Sequence, residues 1–267
     1  MISTFQLFGK TVTMLMVFSI LGIVISFLVA IWLTKKKNLS VEDTFYMLLF
    51  TLIGCFIGAK LFYFIFSVNH FWLSELTFLQ NFSRFCIIVI NGGLVFYGGL
   101  IGGIVGAFIY LKAFHLPVFR YFDTLLPIIP LFHAFGRLGC YFTGCCHGFP
   151  YNGPFRVVYT NSFSTINNQA YFPVQLIEAL FNFILFLLLT YLLFKKPNLN
   201  QGRSVGLYLL CYSIMRFLLE YLRGDEIRGR LLLFSSSQWI SLLLIPIALF
   251  LLFGYGSKLS ERNHKSS

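Results

Sequence analysis

Two arginines stand inside long apolar runs, and a charge in that setting is a candidate for function. Arg137 lies in His133-Ala134-Phe135-Gly136-Arg137-Leu138-Gly139-Cys140, and Arg216 lies in Tyr212-Ser213-Ile214-Met215-Arg216-Phe217-Leu218-Leu219-Glu220. An uncompensated Arg at mid-bilayer costs at least about 2.5 kcal/mol, so each must meet an anion. One source is internal. Glu220 is four residues from Arg216 and shares its helix face, and Glu178 is a matching partner for Arg137. The other source is a bound anion, above all a phosphate, which suits the planar two-pronged guanidinium better than it suits Lys. Gly136 and Gly139 flank Arg137, with Gly144 and Gly148 following. Glycines there let a phosphate reach both the guanidinium and backbone amides.

Other polar groups gather in the same runs. His133, Arg137 and Tyr141 fall on one helix face at spacing four. A His on such a face is more often structural than catalytic, although His is also the commonest general base. The run Cys140-x4-Cys145-Cys146-His147 suggests metal, but zinc motifs use two pairs of ligands at fixed spacing. No second pair is present, so no metal and no cofactor are expected. A disulfide is open to these cysteines in an oxidising compartment; packing against a glycine-rich turn is the plainer alternative. The stretch from Asn91 to Gly103 holds six glycines around Tyr97, including Gly98 and Gly99. Close helix packing explains such glycines, and so does a helix that lines a site.

These residues need elements to hold them, and the composition says which. Of 267 residues, 58% are hydrophobic and 11% charged. Soluble domains carry about 25% charged residues, so a water-facing globule is excluded. A helix crosses about 30 Å of hydrocarbon with about 20 apolar residues. About seven such stretches run at 12–34, 44–66, 86–111, 121–143, 173–194, 204–222 and 235–253. The expected fold is an all-α polytopic membrane protein, one integral-membrane domain over 1–267. Strands of alternating polarity, which would indicate a barrel, are not seen. The first stretch is too long for a signal peptide, and Lys35-Lys36-Lys37 follows it instead of preceding it. Lys and Arg concentrate in one set of short loops, which places that set in the cytoplasm. The N-terminus is then outside and the C-terminus cytoplasmic. The smaller, external set of loop cations includes Arg223. The net charge of +11 fits loops facing anionic lipid and gives no reason to expect nucleic acid.

Five ordered blocks carry a resemblance. Gly136-Arg137-Leu138-Gly139-Cys140-Tyr141-Phe142-Thr143-Gly144-Cys145-Cys146-His147-Gly148 resembles the signature of prolipoprotein diacylglyceryl transferases. Gly92 to Gly102 resembles the family's glycine-rich segment, and Pro173-Val174-Gln175-Leu176-Ile177-Glu178 its Pro-x-Gln-Leu-Tyr-Glu block. Tyr212 to Asp225 resembles its Tyr-x-x-x-Arg-Phe-x-x-Glu-x-x-Arg block, and Ser237-Gln238-Trp239 the start of its last helix. The match covers about residues 20 to 250. Many members have His where Tyr97 stands, Asn at Cys140 and Glu at Cys145. This chain is similar to a Tyr/Cys-Cys subgroup.

The resemblance implies a seven-helix enzyme of the bacterial cytoplasmic (inner) membrane with its site towards the outer leaflet. It implies transfer of diacylglyceryl from phosphatidylglycerol to the lipobox cysteine of prolipoprotein signal peptides. The expected partners are therefore phosphatidylglycerol, those peptides and membrane lipid. On this reading Arg137 and Arg216 clamp phosphate and stabilise the leaving group, while Glu178 and Glu220 orient them. Gly98, Gly99, Gly136, Gly139, Cys140 and Gly148 belong to the lipid-binding surface. Tyr97, Tyr212 and His133 are candidates for handling the proton; a tyrosine, with its ordinary pKa near 10, is a better donor than base. A non-enzymatic transporter or receptor with an anion site is the alternative, but it would need a lined polar path, whereas buried charge here is confined to a few spots. A further alternative keeps the fold and changes the thiol acceptor.

Overall fold

The computed structural model describes residues 4–7, 10–71, 77–91, 95–160, 167–195, 202–224, 230–231 and 234–254. It divides into two compact units, Asn38–Val118 and the remainder, Met1–Lys37 with Phe119–Ser267.

In the first of these units, α2 (Val41–Phe71) begins where Ser40 Oγ accepts from Asp43 N at 3.1 Å. Glu42 and Asp43 in its first turn complement the positive end of the helix. Next come α3 (Phe78–Asn91) and α4 (Phe96–Ala113). The stretch expected as one segment, 86–111, is thus two helices. Val95, just before α4, is extended at φ −87° and ψ 118°; 92–94 lie outside the described residues. α2 and α4 pack through facing glycines. A methyl placed on Gly54, Gly58, Gly98 or Gly102 would run into the opposite backbone, so only Gly permits this approach.

The larger unit starts with a hairpin, β1 (Thr4–Leu7) against β2 (Lys10–Thr13), and then α1 (Met14–Lys36). Thr13 caps α1, accepting from Met16 N at 3.3 Å. α1 lies along α6 (Ile128–Thr143), with Gly22 against Phe132 and Phe135. The first turn of α1 is tied to the last residue of α6, Leu15 N donating to Thr143 Oγ1 at 3.0 Å. α5 (Val118–Leu125) precedes α6 and is separated from it at Leu126-Pro127. Pro127 lacks the N–H a continuous helix needs, so the segment expected at 121–143 carries a break. α7 (Val174–Lys195), α8 (Arg203–Leu219) and α9 (Ser236–Leu249) complete the helices. Ser235 and Gln238 form a reciprocal capping box at the start of α9. Short pairs, β3 (Val157–Val158) with β4 (Ala170–Tyr171) and β5 (Arg230–Leu231) with β6 (Phe234–Ser235), link them.

Five helical stretches among the described residues are long and apolar enough to cross a membrane: Met14–Lys36, Val41–Ile65, Val118–Thr143, Val174–Lys195 and Arg203–Leu222. Gly98–Ala113 and Ser237–Phe253 are shorter apolar helices. Leu28, Leu52 and Leu180 each leave more than half of their surface exposed. Outward-facing leucines of that kind suit a solvent of lipid tails. The protein is a mostly helical, multi-pass membrane protein.

Candidate active site

Arg137 sits on α6 one turn after His133 and faces Glu178 of α7. Its Nε–H donates to His133 Nε2 at 3.2 Å, and Glu178 Oε1 lies 3.0 Å from the same nitrogen. Glu178 Oε1 is also 3.6 Å from His133 Nε2. Glu178 is only 1% exposed. A carboxylate so deeply buried needs a partner, and Arg137 provides it. Arg137 is thus gripped by its inner edge. Its Nη1 and Nη2 make no hydrogen bond among the described residues.

Arg216 repeats the arrangement on α8. Its Nη2 is 2.9 Å from Glu220 Oε2, one turn along, and donates to Ser237 Oγ at 3.0 Å. Its buried Nη1 has no hydrogen-bond partner among the described residues. A buried donor left unmade costs about 1–3 kcal/mol, so each arginine is held with donors in reserve. The two meet around His133. The Tyr212 ring, one turn before Arg216, is 5.6 Å from the His133 ring, and the charge of Arg216 reaches that imidazole. Tyr212 also packs on the apolar cluster of Val174, Met215 and Leu219.

The cysteines close one side. α6 ends at Thr143, and Gly144 takes the left-handed conformation, φ 79°, with its N–H returning to Cys140 O. Cys145 N follows to the same carbonyl at 3.2 Å, and Cys146 is itself left-handed at φ 55°. The chain therefore doubles back, and the Sγ atoms of Cys140, Cys145 and Cys146 all lie within 4.8 Å of one another. Spacing taken in pairs offers only two neighbouring sulfurs; the reversal at Gly144 supplies the third. Cys145 Sγ donates to Cys140 O at 3.8 Å within the same turn.

Two contributors are not apparent from the sequence. Gln175, almost wholly buried on α7, donates from Nε2 to Cys145 O at 2.9 Å and pins the cysteine turn. Its only signal is the Pro-x-Gln block. Arg223 follows the 3-10 turn Glu220–Leu222. Its position suggests an external loop charge, but an antiparallel bridge pairs it with Gly148. Phe149 N donates to Leu222 O and Gly224 N to His147 O, both at 3.2 Å. These bonds stitch the cysteine turn to the end of α8.

The glycines differ from one another. Gly136 opens on free space, with nothing within 4 Å of the place a methyl would occupy. Gly139 instead faces Leu15 and Phe18 of α1, and Gly148 faces Phe172 and Leu222. Both serve close approach of protein to protein. In the other unit Gly98 meets Gly58 and Phe62, while Gly99 looks towards Cys55 and Ala59. Tyr97 lies in the first turn of α4, and its side chain is outside what is described.

The family model of prolipoprotein diacylglyceryl transferase matches residues 3–254. The phosphatidylglycerol–prolipoprotein diacylglyceryl transferase of Clostridium tetani is 32% identical over 247 residues, 92% of this chain and 94% of its own length. That of Finegoldia magna is 28% identical over 261 residues, 98% of each. That of Prochlorococcus marinus subsp. pastoris is 30% identical over 221 residues, 78% of this chain and 74% of its own.

Proposed function

The chain belongs to the prolipoprotein diacylglyceryl transferase family, and on that premise we propose that it transfers diacylglyceryl from phosphatidylglycerol to the lipobox cysteine of prolipoproteins, forming a thioether and releasing glycerol phosphate. One observation carries the reading to this chain's residues: Arg137 and Arg216 are each fixed through one edge by a glutamate and keep guanidinium nitrogens unpartnered among the described residues. That is the disposition of an anion clamp.

The headgroup phosphate binds between the free nitrogens of Arg137 and Arg216. Glu178 and Glu220 hold the forks in place, so that little reorganisation is needed as charge builds on the leaving oxygen. Gly136 leaves room for the lipid. The peptide sulfur attacks the glyceryl carbon in line with the departing phosphate oxygen, and the thiol proton leaves through His133 or Tyr212. His133 Nε2 is engaged by Arg137, which makes His133 first a positioning residue. The protein crosses the bacterial inner membrane seven times, the two shorter apolar helices included, with the N-terminus outside, the C-terminus cytoplasmic and the site towards the outer leaflet. Both units act as one transferase domain, since the family match runs through both. The test is incubation of the purified chain with labelled phosphatidylglycerol and a lipobox peptide. Label on the peptide cysteine is the expected result; its absence in folded protein would overturn the proposal.

A further inference from the structure

The thiol proton is the weak point of the chemistry just described. A peptide thiol, with its ordinary pKa near 8.5, is mostly protonated at neutral pH. The imidazole named for it, His133, is already engaged through Nε2 by Arg137, while three sulfurs gather at the end of α6.

We propose that Cys140, Cys145 and Cys146 hold a zinc-class divalent cation as three thiolates with the fourth position open, and that the lipobox thiol binds there as the fourth sulfur before it is alkylated. This rests on the transferase reading and names what activates the acceptor in it. Zinc–sulfur bonds of about 2.3 Å place tetrahedral sulfurs about 3.8 Å apart. The three Sγ atoms already lie within 4.8 Å, so side-chain adjustment alone brings them to that spacing. The frame is fixed. Gly144 N and Cys145 N both return to Cys140 O, and Gln175 anchors Cys145 O. His147 spends its Nδ1 at 2.8 Å from Gly148 O and is not part of the cluster. Three protein ligands and an open fourth position are the arrangement of catalytic zinc, whereas structural zinc is closed by four. Charge agrees as well. Three thiolates on a divalent cation carry one net negative charge, and Arg137 lies about one turn before Cys140 on α6.

The step balances without an oxidant. On binding, the lipobox S–H bond breaks, because a metal-bound thiol is deprotonated outright, and its proton leaves by way of His133 or Tyr212 to water. The sulfur lone pair then forms the C–S bond to the glyceryl carbon. The C–O bond breaks and its electron pair leaves on the phosphate oxygen, between Arg137 and Arg216. The thioether product is neutral, a poorer ligand than thiolate, and departs.

The test uses the full chain in detergent, reduced with a phosphine and stripped of metal. With Zn2+ it should bind one ion per chain. With Co2+ it should show thiolate charge-transfer and tetrahedral ligand-field absorption. Cys140→Ser, Cys145→Ser and Cys146→Ser should each weaken or abolish those bands, while Cys55→Ser and Cys211→Ser keep them. A lipobox peptide should shift the ligand-field bands, and its Cys→Ser form should not. Removing the metal should slow transfer about 100-fold, the lower range for a lost proton-transfer catalyst. Because the parent chain carries the cobalt spectrum, a variant that misfolds does not leave the matter undecided. Active protein that binds no metal, or that keeps full rate after stripping, overturns the metal site and leaves the transferase reading standing. So does a disulfide among the three cysteines in active enzyme. Cobalt bands that respond to the peptide in a chain that transfers no lipid support the site and overturn the transferase reading.

Discussion

Replacing Arg137 with lysine isolates the fork from the charge. Arg137 uses Nε for Glu178, at 3.0 Å, and for His133, at 3.2 Å, which leaves two nitrogens for phosphate. Lysine has one nitrogen. Placed against Glu178 it preserves the buried ion pair and the fold, but nothing is left for the ligand; reaching for the ligand, it abandons Glu178. Losing one donor aimed at developing charge lowers kcat about 10²–10³-fold, or about 2.7–4 kcal/mol. Arg137→Lys should therefore lose at least that much, and Arg137→Ala more, since it also strands a buried carboxylate. The loss should fall mainly on kcat, because the interaction strengthens as charge moves to the leaving oxygen. The assay is transfer of labelled diacylglyceryl to a lipobox peptide in vesicles, with size-exclusion chromatography and thermal melting as checks on folding. A folded Arg137→Lys variant at near-parental rate would refute the clamp and reduce Arg137 to a structural partner of Glu178.

Arg216→Lys should behave similarly, since Nη2 alone serves Glu220 and Ser237 and the buried Nη1 is in reserve; the same kinetic split checks it. Glu178→Gln removes the anion from a buried pair, a change that costs about 3–5 kcal/mol, and should lower the midpoint of thermal aggregation by several degrees as well as the rate. Gly136→Ala should fold normally because its surroundings are open, whereas Gly136→Leu should fold but raise KM for lipid; equal KM values would remove Gly136 from the lipid path. Gly102→Ala should reduce the yield of folded protein, because the added methyl meets the Gly54 backbone; normal folding would show that α2 and α4 can separate at little cost. A reporter fused at Ser267 should read as cytoplasmic and one inserted near residue 160 as external, and the reverse pattern would invert the proposed orientation.

Continuous apolar runs make α1, α2 and α7 readable almost to their ends, because a bilayer-length helix needs little more than sustained hydrophobicity. Breaks are less visible. Leu126-Pro127 divides α5 from α6, and the stretch expected at 86–111 is two helices, since hydropathy alone does not register a local loss of helical backbone. The Arg216–Glu220 pair is readable from four-residue spacing. Glu178 can be named for Arg137 only as a charge match, and packing of α6 against α7 makes it a contact. The three-sulfur cluster is hidden because it depends on two left-handed residues that reverse the chain. Arg223 is hidden because a backbone bridge, not a periodicity, carries it back to Gly148. Gly139 and Gly148 read as openings for lipid, but a glycine looks the same in sequence whether it admits a ligand or a neighbouring helix.

The tie between Leu15 and Thr143 has a practical bearing on how the protein can be handled. The beginning of α1 carries none of the groups discussed as reactive, and in a truncation or fusion series it would pass for a dispensable anchor. Yet Leu15 donates to the last residue of α6, and Leu15 and Phe18 form the floor under Gly139, beside Cys140. Trimming or replacing the chain across Thr13–Phe18 removes the support on which the sulfur turn is folded. Tags and crystallisation partners are better joined ahead of the hairpin, at a distance from that footing, and damage from an ill-placed junction would present as lost activity in a protein that still enters the membrane.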